Sequence, residues 1–250
     1  MIGIGVVGCT GKLGRIIVKT ICNQSDIKLK YVIGRKGNQY IGKDISEIIG
    51  GISRNLSIID NIDEAKDCDV FIDCTNSANF ISSSLPQYFD IGRPVLIATT
   101  GFDVDDLNKI KELSKKVPVF VSGNYSKALY DFIETLKFAA KRISDDTDVQ
   151  IIEYHHNQKK DAPSGTALMI QKALIQANPR LNGDIVNICS IRGGNICGEH
   201  QVIFANSKDE VTEYKHQVTS REAFSSGAVE ALKWLVNQKP GYYTMSDFYG

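Results

Sequence analysis

Five short apolar runs, "IGIGVVG", "IKLKYVIG", "DVFIDCT", "PVLIATTG" and "VPVFVSG", punctuate the first half of the chain, and the segments between them carry helical patterns. Leu13, Ile16, Ile17 and Ile21 make one stripe at helical spacing; Leu107, Ile110 and Leu113 make another, in a helix expected over residues 105–116. Short apolar strands that alternate with helices fold as a parallel sheet covered by helices. The first half therefore reads as a doubly wound α/β domain.

From Ala128 the pattern changes. Leu129, Phe132, Ile133, Leu136, Ala140 and Ile143 form a long amphipathic stripe, and strand-like runs follow at "VQIIEY", "IVNICSI", "HQVIFA" and "VTEYKHQVTS". A smaller α+β domain with its own sheet is the expected result. A last helix over residues 227–236 and the tail "YYTMSDFYG" are expected to pack back on the first domain. The division is then 1–126, 127–221 and a returning segment 222–250, with hinges near 125–127 and near Arg221.

With 29 basic and 29 acidic side chains in 250 residues, the chain lacks the net positive field of a non-specific nucleic-acid binder. No apolar run approaches the roughly 20 residues that a spanning helix needs. The opening "MIGIGVVG" has no basic leader, and six scattered cysteines show neither a CxxC pair nor a disulfide framework. A cytoplasmic chain with reduced thiols and no membrane or nucleic-acid partner is expected.

"GCTGKLG" sets Gly8, Gly11 and Gly14 between the first strand and the first helix. A plain tight turn could use such a triplet. In this context it also lets a pyrophosphate approach the backbone at a helix N-terminus, where free N–H groups and the helix dipole favour anions. The first domain is thus expected to be Rossmann-like and dinucleotide-binding. An NAD enzyme usually ends its second strand in an acidic residue that binds the ribose 2′-hydroxyl. Here Asp26 lies at the strand's entrance, and the exit carries Gly34, Arg35 and Lys36. Two cations without a carboxylate suit a 2′-phosphate, so NADPH is expected to be preferred, with NADH possible. The alternative is a pair of solvated turn residues.

"EYHHNQKKDAPSGTA" places two of the four histidines side by side, four residues before Lys159. Neighbours on a strand point to opposite faces, so His155 and His156 do not chelate one ion together, and no metal is expected. Histidine titrates near neutral pH, and a nearby lysine adds a cation and a second donor, which suits acid–base chemistry. Ser164, Gly165 and Thr166 open a helix whose start could hold a carboxylate; an ordinary N-cap is the competing reading. Further on, Arg192 before paired glycines and Glu199 before His200 could be a loop and a buried hydrogen-bonded pair.

These segments together resemble the dihydrodipicolinate reductase family of the lysine and diaminopimelate pathway. The resemblance runs through "GCTGKLG", "VFIDCT", "ATTGF", "GNYS", "EYHHNQKKDAPSGTA", "SIRGGNICGEH", "TSREAFSSGAVEAL" and "MSDF". It implies NAD(P)H-dependent reduction of a cyclic imine dicarboxylate, 4-hydroxy-tetrahydrodipicolinate, to tetrahydrodipicolinate with loss of water. By position it assigns acid–base catalysis to His155 and Lys159, and substrate binding to His156, Ser164, Gly165 and Thr166. The implied cofactor contacts are Gly8, Cys9, Thr10, Gly11, Lys12, Leu13, Arg35, Ala98, Thr99, Thr100, Gly101, Ser122, Gly123, Asn124 and Tyr125. It also implies a homotetramer built by the second domain. The chain departs from the family pattern at Gly34, where NADH users carry an acidic residue, at Ala98, where glycine is common, and in "SGNYS". The rivals are another two-domain NADPH-dependent dehydrogenase and a catalytically silent NADPH sensor.

Overall fold

A computed structural model describes residues 1–220 and 222–250; Arg221, expected above to mark a hinge, lies outside the described residues. The chain divides into two compact units, Met1–Tyr125 with Phe224–Gly250, and Ser126–Ala223. In chain order the strands are β1 (Ile2–Val7), β2 (Ile27–Ile33), β3 (Ile58–Ile59), β4 (Val70–Asp73), β5 (Val95–Ile97) and β6 (Pro118–Val121). They continue as β7 (Asp148–His155), β8 (Val186–Arg192), β9 (Gly198–Ala205), β10 (Val211–Val218) and β11 (Gly241–Tyr243).

The first unit holds a seven-stranded sheet in the order β11-β6-β5-β4-β1-β2-β3, with every neighbouring pair parallel. Strand order reverses between β1 and β4, the topological switch point at which open α/β sheets bind ligands. Alternate residues feed two cores. Ile4, Val6, Ile72, Leu96 and Phe120 pack on one face with Ile17, Ile21, Val229 and Leu232 from helices Lys12–Cys22 and Glu222–Leu235. Val7, Phe71, Val95, Ile97 and Val119 pack on the other with Leu85, Tyr88, Ile110 and Leu113 from helices Leu85–Ile91 and Val104–Ser114.

The helix expected over 105–116 spans Val104–Ser114, because Asp103 caps it by accepting the Asp106 N–H at 2.8 Å. The last helix begins at Glu222 rather than at 227. Within it a Cβ on Gly227 would stand 1.9 Å from the Tyr125 carbonyl oxygen, so the close approach there requires glycine. Strands β3 and β11 have two and three residues, too few for a period-two pattern to register in the sequence.

The second unit holds a four-stranded sheet in the order β10-β9-β7-β8. β7 and β8 are parallel, joined through helix Gly165–Ala177, while β9 runs antiparallel to both β7 and β10. Helices Lys127–Ala140 and Gly165–Ala177 bury one face through Leu129, Leu136, Ile170 and Leu174 against Val149, Ile151, Val186 and Val202. β7 alternates strictly, so Val149, Ile151, Glu153 and His155 are all buried on that face. Among the described residues no helix is long and apolar enough to cross a membrane. All six cysteines are free thiols.

Candidate active site

In the first unit a cleft of about 670 Å³ opens where β1, β2 and β4 end, lined by Gly8, Thr10, Gly11, Gly34, Arg35, Lys36, Cys74 and Thr75 among others. Gly8 takes φ +81°, and a Cβ there would stand 2.9 Å from the Cys74 carbonyl, so only glycine fits. A Cβ on Gly14 would lie 2.2 Å from the Gly8 oxygen, which shows how closely helix Lys12–Cys22 approaches the turn. Among the described residues the N–H groups of Lys12, Leu13 and Gly14 find no backbone acceptor. Such a helix start favours a phosphate.

Other residues expected at the cofactor hold the strand ends together. Cys9 is fully buried and gives its N–H to the Ile33 oxygen, and Leu13 packs on the core. Tyr125 is buried with its hydroxyl on the Ile97 oxygen at 2.8 Å, so its side chain serves the fold. Thr99 is buried against Asp73 at 3.4 Å. Ala98, Thr100 and Gly101 follow β5; Ser122, Gly123 and Asn124 follow β6, where the Ser122 hydroxyl closes a turn on Asn124. These two segments do not line the cleft, but they leave the same carboxyl edge of the sheet.

Asp73, at the end of β4, was not foreseen. It is fully buried and accepts from Thr75 Oγ1 at 2.5 Å, the Thr75 N–H at 3.0 Å and Tyr88 Oη at 3.1 Å. Burial pushes its carboxyl up, against hydrogen bonds from Thr75, Ser84 and Tyr88. Asp26 pairs with Lys233 at 2.7 Å, away from the cleft.

In the second unit β7 ends at His155, which is 8% exposed. Its Nδ1 contacts the carboxylate of Glu153, two residues earlier on the same face. The other Glu153 oxygen accepts from Arg192 Nη2 at 2.7 Å and from the Ser164 N–H at 3.2 Å. Burial alone would raise the Glu153 pKa; Arg192, Ser190 and His155 outweigh it and hold the carboxylate down at about 2. His200, from β9, stacks edge-on to His155 with ring centroids 5.3 Å apart, and burial lowers its pKa to about 4. His155 is also lowered, first by burial, with Glu153 opposing.

Lys159 follows His155 in the loop and pairs with Asp161 at 2.8 Å. His156 is half-buried beyond the strand end, and its carbonyl accepts the Lys159 N–H at 3.1 Å. Ser164 departs from its expected role. It is 1% exposed, its hydroxyl caps helix Gly165–Ala177 at the Ala167 N–H (3.1 Å) and meets His200 Nε2 at 3.3 Å, so it is spent inside the protein. Gly165 and Thr166 remain for an anion: their N–H groups have no acceptor among the described residues, and nothing lies within 4 Å of a Cβ built on Gly165. Nor do Glu199 and His200 form a pair, because adjacent strand residues diverge; Glu199 joins Lys215 at 2.6 Å instead.

Residues 2–125 match the family model described as dihydrodipicolinate reductase, N-terminus, and residues 130–249 match dihydrodipicolinate reductase, C-terminus. The chain belongs to the dihydrodipicolinate reductase family. A family member from Caldanaerobacter subterraneus subsp. tengcongensis, named 4-hydroxy-tetrahydrodipicolinate reductase, is 34% identical over 99% of this chain and 98% of its own. A protein of the same name from Archaeoglobus fulgidus is 34% identical over 98% of each chain. The dipicolinate-bound dihydrodipicolinate reductase from Paenisporosarcina sp. TG-14 has the same fold, with TM-score 0.80 at 23% identity over 100% of both chains. The chain is therefore an oxidoreductase whose first unit is a dinucleotide-binding domain, with NAD(P)H as reductant.

The cleft fits that reductant, since the Gly8 turn brings bare backbone to it and the helix start supplies free N–H groups. In this dihydrodipicolinate reductase the second unit also gathers Glu153, His155 and His200, whose ligand-type atoms lie within 4.8 Å of one another. The Arg192 guanidinium already occupies the Glu153 carboxylate, an arrangement that suits an ion-pair network rather than a cation. Glu153 was missed in the sequence although the signal was present: a carboxylate at i and a histidine at i+2 share a strand face.

Proposed function

We propose that this reductase converts 4-hydroxy-tetrahydrodipicolinate to tetrahydrodipicolinate with loss of water, using NADPH in preference to NADH. The observation that carries the reading is the site at the end of β7. It sets a buried histidine and a loop lysine beside a helix start with two N–H groups that have no acceptor among the described residues, in a chain matched to the family over both halves. When bound, the nicotinamide supplies a hydride.

The protein's own residues supply the rest. His155 delivers a proton to the substrate as electron density builds on the conjugated imine, and Lys159 serves as second donor and as a cation for a carboxylate. Thr166 and the N–H groups of Gly165 and Thr166 hold that carboxylate, with His156 alongside.

The cofactor preference rests on the exit of β2. Glycine at position 34 supplies no ribose-binding carboxylate, and a side chain there would press on Ile41 at 3.0 Å and Ile58 at 3.2 Å, which would have to shift to admit it. Arg35 and Lys36 line the same cleft and suit a 2′-phosphate, while Asp60 and Glu64, which also line it, offer carboxylates that let NADH bind as well. The test follows cofactor oxidation by absorbance, with substrate made in situ from pyruvate and aspartate semialdehyde by the preceding synthase. NADPH is expected to turn over faster. Exchanging Arg35 and Lys36 for Gln is expected to raise the KM for NADPH about tenfold while that for NADH changes little. An equal loss for both cofactors would remove the phosphate argument, and no turnover with either would remove the enzyme.

The second unit is read as the tetramer-building part. Its sheet face opposite the two helices carries half-buried Ile152 and Tyr154 beside exposed Ile191, an apolar surface that suits further copies of the chain. Sedimentation should then give the mass of four chains; a monomer would contradict it. A cytoplasmic location belongs to the same reading, supported by the six free thiols.

A further inference from the structure

Strand β7 brings Glu153 and His155 to one face at a spacing of two, so the carboxylate meets the imidazole from the strand itself, with no flexible loop between them. We propose that Glu153 is a positioning residue for the reduction: it accepts the Nδ1–H of His155 and so leaves Nε2 as the atom that carries the transferred proton. The proposal rests on the reading of His155 as proton donor given above.

Three features of the site support it. Glu153 is fully buried and cannot turn away, because Arg192 Nη2 at 2.7 Å and the Ser164 N–H at 3.2 Å fix its second oxygen. Among the described residues no hydrogen bond engages His155 Nε2, so that nitrogen is open for substrate. Room for it comes from β9: a Cβ on Gly198 would sit 3.2 Å from Nε2, and glycine omits it. A carboxylate on one ring nitrogen sets the tautomer and orientation of the other.

The charged and titratable groups around His155 come from every neighbouring element. Glu153 lies on its own strand, Arg192 on β8, His200 on β9, and Lys159, paired with Asp161, in the loop that follows. Burial, Lys159 and Arg192 all disfavour the imidazolium. His200 is neutral at pH 7, being held near pKa 4 by burial. Glu153 is the group in contact that favours the protonated ring.

The first test needs no substitution. Histidine nitrogen shifts in the 15N-labelled full chain, titrated from acid to neutral pH, should show His155 with its proton on Nδ1 once the ring is neutral; a dominant Nε2–H form overturns the proposal. The second is Glu153→Gln, read by kinetics. Loss of the anion disfavours the imidazolium, so the limb along which activity falls as pH rises should move to lower pH. In addition kcat should drop about 10²-fold with little change in the KM for the imine or the Kd for NADPH. In a His155→Gln background the same change should add almost nothing. If His155→Gln turns over normally, the proton-donor reading fails. If His155→Gln is crippled while Glu153→Gln keeps the unaltered pH profile, that reading stands and this proposal is overturned.

Discussion

Replacing His155 by glutamine is expected to lower kcat about 10²- to 10⁴-fold while leaving NADPH binding nearly unchanged. The reason is positional as well as chemical. Glutamine keeps polarity and roughly the volume but cannot carry a proton to the substrate, and His155 belongs to the second unit, whereas the cleft for the dinucleotide lies in the first. Steady-state rates with the in situ substrate, paired with fluorescence titration of NADPH, separate the two effects. Undiminished turnover would remove His155 from the chemistry; a parallel loss of NADPH affinity would mean that the fold had been damaged instead. Lys159→Ala offers the contrast. It removes a donor and a cation together, so kcat should fall and the KM for the imine should rise, whereas a change in KM alone would make Lys159 a binder and not a donor.

The second large effect is structural. Gly14→Ala is expected to destabilise the chain by roughly 3 kcal/mol or more and to abolish tight NADPH binding. A Cβ at that position meets the Gly8 oxygen at 2.2 Å and the Cys9 Cα at 2.9 Å, and both are backbone atoms that cannot swing aside. Relieving the clash must push helix Lys12–Cys22 off the turn, which also displaces the N–H groups offered to phosphate. Urea midpoints and NADPH titrations measure both consequences. Gly183→Ala is the control, since among the described residues beyond its chain neighbours no atom lies within 4 Å of a Cβ there, and it should leave both quantities unchanged. A Gly14→Ala chain with the original midpoint and affinity would contradict the close approach.

Much of the first unit was legible because its signals are local. Strand runs and helical stripes repeat within a few residues, and the Gly8–Gly11–Gly14 turn announces itself by spacing alone. What escaped was short or lay at the end of an element: β3 and β11 are too brief to show a period, and the last helix starts five residues earlier than its apolar stripe, at Glu222. Arg35 and Gly34 were readable as a strand exit without a carboxylate. That Asp60 and Glu64 share the same cleft was not, since they arrive on a different strand connection.

The second site divides in the same way. Chain order alone puts His155, Lys159 and a helix start at Ser164 within one short stretch, and the chemistry of those side chains makes acid–base work and anion binding the natural reading. How that stretch is used depends on which strands and helices pack around it. Ser164 turned inward to cap its helix and to meet His200, 36 residues away, while Glu153 found Arg192, 39 residues away, on a parallel neighbour. Spacing along one strand specifies which side chains share a face; it carries no information about which strand lies beside it or in what register. The partners that keep a buried carboxylate ionised, and so aim one histidine, are fixed when β7, β8 and β9 pair.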